Sequence, residues 1–310
     1  MSGADVSVPN LARRAAIASV TMATMLLALK AYGEARSGSV AMLASLADTA
    51  LDLLASMMTL YGVHIAGQRA DEQHRFGHGK AESLVALFQV ALIAASAVAL
   101  AIRAAMGLVR GGGAVEAGTG ILVSLIAAGA TVVLLAYQRF VIARTRSVAI
   151  GADHLHYQSD LALNGAVVAA LLLDRFAGIG WADAAFGLAI ALWLARGAWI
   201  SGRIAVDQLM DREWPETRRR ALLDLAATIP ALKGMHDLRT RSSGTDEFAQ
   251  FHVPFPAGTS LAAAHAAMRA VEARLALAFP DTQFFLHPHP EGYIDPEGAL
   301  PAAIAERSEM

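Results

Sequence analysis

Two pairs of polar residues interrupt apolar stretches of the chain. Asp48 and Asp52 lie four residues apart in one stretch, and His156 and Asp160 lie four residues apart in another. On an α-helix this spacing places both members of a pair on one face. Two carboxylates on one face repel each other unless a proton or a cation lies between them. Ionisable residues inside an apolar span therefore predict a functional site.

The two pairs are also predicted to lie at matching depth. A helix rises about 1.5 Å per residue, so Asp48 and Asp52 lie roughly 12 and 18 Å from one membrane surface, and His156 and Asp160 roughly 12 and 18 Å from the opposite surface. Both pairs reach the middle of an apolar layer about 30 Å thick. Four nitrogen and oxygen ligands on two antiparallel helices predict a tetrahedral site of the kind that zinc prefers. The alternative is that both pairs are polar contacts between helices or line another cavity, which is a weaker interpretation for two matched pairs than for a single Asp.

The composition predicts the helices that must carry these residues. Of 310 residues, 55% are hydrophobic and only 17% are charged, whereas soluble proteins average about 25% charged residues. A membrane-spanning helix needs about 20 mainly apolar residues. Lys and Arg concentrate on one side of the candidate spans, which predicts that both termini are cytoplasmic. Six stretches qualify as spans: 15–32, 40–67, 83–109, 119–143, 148–173 and 181–204.

Charge and cysteine usage exclude several classes of protein. The formal net charge of -2 provides no basic surface for nucleic acid. The chain has ten histidines and no cysteine, so any metal must be bound by imidazole and carboxylate groups.

After the membrane domain, residues 1–210, the pattern predicts a cytoplasmic domain over 211–295 and a flexible tail over 296–310. A helix begins near Pro215 and ends before Pro230. The remaining order is strand, strand, helix, strand, which predicts a small two-layer α+β fold. The predicted bounds are 235–241 and 247–255 for the first two strands, 260–279 for the second helix and 283–287 for the last strand.

Further histidines form two more candidate metal sites. In the segment between the second and third spans, one helical turn would present Asp71, His74 and His78 together. Taken alone, this spacing in a loop is more typical of a solvated surface than of a ligand set. The predicted soluble domain has four histidines on different elements, more than its packing requires: His236, His252, His265 and His287.

Together, these features resemble the cation diffusion facilitator family, in particular its bacterial zinc and ferrous-iron efflux branch. The segments that carry the resemblance are D-T-A-L-D at 48–52, H-Y-Q-S-D at 156–160, H-R-F-G-H-G-K-A-E-S at 74–83 and H-D-L-R-T-R at 236–241. The resemblance implies a homodimer in the inner membrane that exchanges zinc for protons, with a ferredoxin-like cytoplasmic domain. It also implies that Asp48, Asp52, His156 and Asp160 form the transport site.

The resemblance assigns roles to the other candidate residues as well. It implies a metal site at Asp71, His74 and His78. It implies a charge pair, Lys80 and Asp211, that locks the dimer. A fifth position of the family's cytoplasmic site, normally Asp, is His289 here, which can bind zinc but cannot supply an anionic oxygen. The implied ligands of that binuclear site are His236, His252, His265, His287 and His289.

The predicted function is export of a divalent metal cation in exchange for protons, by alternating access. Zn²⁺ is the expected substrate, with Cd²⁺, Fe²⁺ and Co²⁺ also compatible. Binding requires ionised carboxylates and a neutral imidazole, so protons compete with the metal. Histidine has an unperturbed pKa of about 6.5, which makes His156 the predicted proton-coupling residue. The chain is therefore predicted to be a secondary transporter and not an enzyme. The alternatives are a membrane-tethered metal sensor and an intramembrane metalloprotease, although the latter lacks an H-E-x-x-H helix.

Overall fold

A computed structural model describes residues 8–37, 40–110, 121–177, 181–244 and 246–292. The chain divides into two compact units between Asp207 and Gln208. The predicted tail, 296–310, lies outside the described residues.

The first unit consists of long helices, and each predicted span overlaps one of them. Four of these helices are long and apolar enough to cross a membrane, through the segments Asn10–Tyr32, Thr49–Ala66, Ala81–Val109 and Ala184–Leu209. The helices are α1 (Val8–Ser37), α2 (Val40–Ala66), α3 (Ala81–Arg110), α4 (Ile121–Thr145), α5 (Val148–Ala177) and α6 (Ala182–Leu209).

Within the part of the chain that the structure describes, α4 and α5 do not belong to this set of four, although they have 25 and 30 residues. In α5 the reason is visible in the sequence, because Asp153, His154, His156 and Asp160 fall within its first half. The count of six spans therefore stays a prediction. Polar residues lower the hydropathy of α5 where the predicted site lies.

Small side chains let the helices of the first unit pack closely. A Cβ atom at Gly62 of α2 would lie 2.5 Å from Val85 Cγ2 of α3, so only glycine permits this approach. Leu155 of α5 packs against Leu194 and Ala198 of α6. Such close approach is typical of helices that associate in membranes. A further cluster joins α1, α2, α4 and α5 through Ala12, Ala15, Ala16, Val63, Val141, Ala149 and Ile150.

The second unit is a three-stranded sheet with two helices. Strands β1 and β2 are antiparallel, and β2 and β3 are parallel, because α8 carries the chain back between them. The order of elements agrees with the sequence-based expectation, but β3 extends beyond the predicted residue 287 and includes His289. The elements are α7 (Glu216–Ala227), a 3-10 turn (Pro230–Leu232), β1 (His236–Ser243), β2 (Asp246–Phe255), α8 (Leu261–Ala278) and β3 (Thr282–Pro290).

Local interactions fix the ends of these elements. Ser260 is the N-cap of α8, and its hydroxyl accepts a hydrogen bond from the backbone N–H of Ala263. Trp214 is buried at the start of the unit, where its indole N–H donates to the carbonyl oxygen of Arg241 over 3.1 Å. Phe251 and Leu275 are fully buried between the sheet and its helices. The apolar core therefore supports one side of the strands that carry the histidines.

Candidate metal centres

The first candidate centre joins α2 and α5. We call Asp52, His156 and Asp160 the helix group. The Nε2 atom of His156 lies 3.0 Å from an oxygen of Asp52 and 3.8 Å from an oxygen of Asp160. One ligand atom from each residue lies within 4.8 Å of the others. Two carboxylates and an imidazole thus converge on one point, where they could bind a divalent cation.

Asp48, the fourth predicted residue of this site, lies in α2 one helical turn before Asp52. Its side chain is outside the part of the chain that the structure describes. The structure therefore brings together three of the four residues predicted for the transport site, and the participation of Asp48 stays a prediction.

Hydrogen bonds beside the helix group hold α5 against α1 and α2. The hydroxyl of Tyr157 donates to the carbonyl oxygen of Ser19 over 3.1 Å, and the hydroxyl oxygens of Ser56 and Tyr157 lie 3.0 Å apart. Tyr157 follows His156 directly, and Ser56 follows Asp52 by one turn. These contacts fix the relative orientation of α2 and α5, the two helices that carry the helix group.

Sequence reasoning missed a second buried polar cluster, which lies next to the helix group. Asp153 of α5 is completely buried, and both of its oxygens accept hydrogen bonds from the amides of Gln89 and Gln138. The available signal was a carboxylate three residues before His156. Its partners gave no signal, because glutamine in a span is uncharged and its neighbours are known only from the fold.

The second candidate centre is the loop group, Asp71, His74 and His78. One oxygen of Asp71 lies 3.4 Å from His74 Nδ1, and its other oxygen lies 3.3 Å from His78 Nε2. The expected helical turn is wrong, because this segment consists of turns and bends. The residues converge because the Asp71 carboxylate accepts backbone N–H groups of His74 and Gln73. Those N–H groups, His74 first, lower the pKa of Asp71 and keep it ionised.

The third candidate centre lies on the sheet. We call His236, His252 and His289 the sheet group, and one ligand atom from each lies within 4.8 Å of the others. The ring centroids of His236 and His289 are 4.9 Å apart. A β-bulge between His236 and Arg239, with Asp237 at φ 51°, lets His236 lie opposite His252. Bulges often aim side chains at functional sites.

The protonation pattern of the sheet group suits metal binding. The Nδ1 atoms of His236 and His289 lie 3.0 and 2.9 Å from the carbonyl oxygens of Gly234 and Pro290. An Nδ1–H that donates to a carbonyl directs the lone pair to Nε2, as in many metal-binding histidines. Burial, followed by the neighbouring His287, lowers the pKa of His252 and favours its neutral form.

Of the other two predicted ligands, His287 adjoins the sheet group and His265 lies on a different element. His287 is exposed on β3, with its ring centroid 4.8 Å from that of His252. His265 is exposed on α8. The structure adds one carboxylate that sequence reasoning did not select, because an oxygen of Asp237 lies 3.9 Å from His252 Nε2.

The two residues of the predicted charge lock belong to different units. Lys80 directly precedes α3 in the first unit. Asp211 lies in the second unit, at φ 55°, with its carboxylate 3.4 Å from a guanidinium nitrogen of Arg241. The lock stays a prediction.

Comparisons with known proteins define the class. Residues 16–210 match the family model described as the cation efflux transmembrane domain, and residues 214–291 match the one described as the cation efflux protein cytoplasmic domain. The chain therefore belongs to the cation efflux, or cation diffusion facilitator, family, as the resemblance predicted. It is a membrane-embedded transport protein and not an enzyme, with a cytoplasmic domain that contains a small sheet.

Its relatives extend over nearly the full chain. The cation-efflux pump FieF of Citrobacter koseri is 40% identical over 291 residues, which cover 93% of this chain and 96% of the relative. The pump of the same name from Escherichia coli O127:H6 shows the same identity and coverage. That of Serratia proteamaculans is 41% identical over 289 residues, again covering 93% and 96%.

Proposed function

We propose that the chain exports a divalent metal cation from the cytoplasm in exchange for protons, with Zn²⁺ as its main substrate. The observation that carries this proposal is the helix group, in which Asp52 of α2 lies 3.0 Å from His156 of α5. Its relatives are named cation-efflux pumps, which supports the direction of transport. Ligands on two different helices suit transport, because relative movement of the helices changes the site.

The exchange follows from the chemistry of the ligands. A metal binds to ionised carboxylates and a neutral imidazole, so protonation of the same atoms expels it. Asp48 would complete a tetrahedral set of four ligands, as zinc prefers. Alternating access would expose this set to the cytoplasm for loading and to the opposite side for release. Fe²⁺, Co²⁺ and Cd²⁺ suit the same ligands, and their availability would decide among them.

The arrangement in the membrane is part of the proposal. Residues 1–210 would cross the inner membrane six times with both termini in the cytoplasm, supported by the distribution of Lys and Arg. Residues 211–295 would form a ferredoxin-like domain, supported by the order helix, strand, strand, helix, strand. Two copies would form a homodimer that Lys80 and Asp211 stabilise.

The two further centres would bind metal without transporting it. The sheet group, with His265 and His287, would bind regulatory metal and tighten the dimer. The loop group would relay metal or couple the two domains. Both roles are supported by the convergence of the loop and sheet ligands.

The test is zinc transport by the full chain in proteoliposomes with a recorded internal pH. We expect zinc to move with protons in the opposite direction. His156→Asp should weaken the preference for Zn²⁺ over Mn²⁺, because carboxylate oxygens suit Mn²⁺ better than imidazole does. His236→Ala is the control for metal preference, since it lies outside the helix group and should keep the preference for Zn²⁺ over Mn²⁺. Zinc movement without proton counterflow would contradict the exchange.

A membrane-tethered metal sensor is the second candidate, favoured only by the sheet group. The variant Asp48→Ala separates the two functions. Transport should disappear while metal binding by the sheet group persists. Unchanged transport would contradict the transport site.

A further inference from the structure

Asp153 is a buried carboxylate that the proposed metal exchange does not use. It lies in α5 three residues before His156, and its exposed fraction is 0%. A carboxylate removed from water destabilises a protein unless hydrogen bonds compensate for the lost hydration. Its partners therefore indicate what the fold uses it for.

Two amides from two other helices satisfy the carboxylate. The Nε2 of Gln138, on α4, donates to one oxygen over 2.8 Å, and the Nε2 of Gln89, on α3, donates to the other over 3.3 Å. Both glutamines are buried. Asp153 is thus a double acceptor between two donors, and α5 is tied to α3 and α4 at one point.

The same two amides also reach α1 and α2. The Nε2 of Gln138 also donates to the hydroxyl oxygen of Ser19 on α1 over 3.0 Å, and that of Gln89 donates to the hydroxyl oxygen of Thr59 on α2. Hydrogen bonds centred on Asp153 therefore connect five helices. Rotation of α5 about its axis would break both hydrogen bonds to Asp153.

The position of Asp153 on α5 links this network to the helix group. Asp160 follows it by seven residues and His156 by three, so all three lie on one stripe of the helix. A contact that fixes the direction of Asp153 also fixes the directions of His156 and Asp160. The 3.0 Å contact between His156 and Asp52 depends on those directions.

We propose that Asp153 is a positioning residue for metal binding: its hydrogen bonds to Gln89 and Gln138 hold α5 in the rotation that turns His156 and Asp160 towards Asp52. The inference rests on the proposed transport function. This inference requires that both terminal side-chain atoms of residue 153 accept hydrogen bonds, as Oδ1 and Oδ2 of Asp153 do. An amide there would direct an N–H₂ group at the N–H₂ group of Gln89 or Gln138.

The test compares Asp153→Asn with the exchanged pair Asp153→Asn/Gln138→Glu in full-length protein. The exchange restores a donor facing an acceptor, because an amide at 153 donates to a carboxylate at 138. That carboxylate can still accept from His154, whose Nδ1 lies 3.2 Å from Gln138 Oε1. It can accept from Ser19 once the Ser19 hydroxyl turns away from the carbonyl oxygen of Ala15, because in the wild type Gln138 donates to Ser19. Asp207→Asn is the control, since it makes the same chemical change in a residue paired with Arg203.

The measurement is the initial rate of zinc and manganese transport in proteoliposomes across metal concentrations. Asp153→Asn should raise the KM for zinc about tenfold, the size of effect seen when groups that orient metal ligands are removed. It should change the maximal rate less, and it should reduce the preference for zinc over manganese. The exchanged pair should recover most of the KM and the preference, while Asp207→Asn should match the wild type.

Two outcomes would overturn the inference about Asp153, and a third would contradict the proposed transport function. An unchanged KM and preference in Asp153→Asn would overturn the inference. The inference would also be overturned if the exchanged pair folded but kept a raised KM and a reduced preference for zinc. If Asp153→Asn alone does not fold, this comparison of the exchanged pair with the wild type decides the question. A wild type that transports neither metal would contradict the proposed function before any variant is compared, so the two failures are distinguishable.

Discussion

The helix group and the sheet group each contain three candidate ligands, but the ligands of the two groups differ in charge. The helix group has two carboxylates and one imidazole on two helices, whereas the sheet group has three imidazoles on three strands. The helix group is held by hydrogen bonds between buried polar side chains. The sheet group lies on strands that an apolar core supports from one side.

The difference follows from where each group lies. A doubly charged cation inside a membrane is stabilised only if nearby negative charge compensates for its lost hydration. Near water the same charge is screened, so neutral imidazoles suffice. Carboxylates also accept the protons that displace the metal. We therefore expect exchange from the helix group and retention by the sheet group.

Removal of one carboxylate from the helix group gives the largest expected effect. Asp52→Asn keeps the shape of the side chain but removes the charge that faces His156. We expect zinc transport to fall about 100-fold or more, at the upper end of the losses caused by disturbing a metal site. The measurement is zinc uptake by proteoliposomes, together with zinc binding by the solubilised chain.

Removal of a ligand from the sheet group should not abolish zinc transport, because the proposal assigns the transported metal to the helix group. His236→Ala should weaken zinc binding on the sheet and change how the transport rate depends on metal concentration, while zinc transport itself persists. Substantial transport by Asp52→Asn would show that the helix group does not carry the metal. The contrast between the two groups would then be lost.

The residues of the helix group could be predicted because the evidence for them lies in residue type and spacing along the sequence. The i, i+4 spacing and the distance from the end of a span are both properties of the sequence, so Asp52, His156 and Asp160 could be selected together. The order of elements in the sheet domain was predictable for the same reason, since turn residues and alternation mark each strand.

Features that depend on contacts between distant segments could not be predicted. The amide partners of Asp153 follow from which helices lie beside α5. The bulge at Asp237 shifts the register of β1, and alternation in the sequence does not reveal it. The loop group was missed for a different reason, because the contacts that form it are local. Backbone N–H groups of Gln73 and His74 bind Asp71, where the spacing alone suggested a helical turn.

An intermediate effect is expected when the sheet group receives a negative charge. His289→Asp places a carboxylate beside His236 and His252. The attraction between opposite charges near a protein surface amounts to a few kcal/mol, and desolvation offsets part of it. We therefore expect the zinc affinity of the sheet group to rise about tenfold. Isothermal titration of the Asp52→Asn/His74→Ala chain measures this site without the helix group and the loop group. Gln283→Asp, exposed on the same strand, is the matched control and should leave the affinity unchanged. Equal affinities of wild type and His289→Asp would contradict the role of ligand charge.

The smallest effect concerns protons and the sheet group. Burial and His287 lower the pKa of His252, so the folded domain holds fewer protons than the unfolded chain, in which histidine titrates near about 6.5. The stabilisation is complete above that value and is lost as the pH falls below it. In calorimetry of the metal-free chain, the Tm of the second unit should therefore fall between about pH 7.5 and about pH 5.5. His252→Gln should reduce that fall, and bound zinc should steepen it because zinc requires neutral histidines. A Tm that rises on acidification, or a fall that His252→Gln leaves unchanged, would contradict this account of the sheet group.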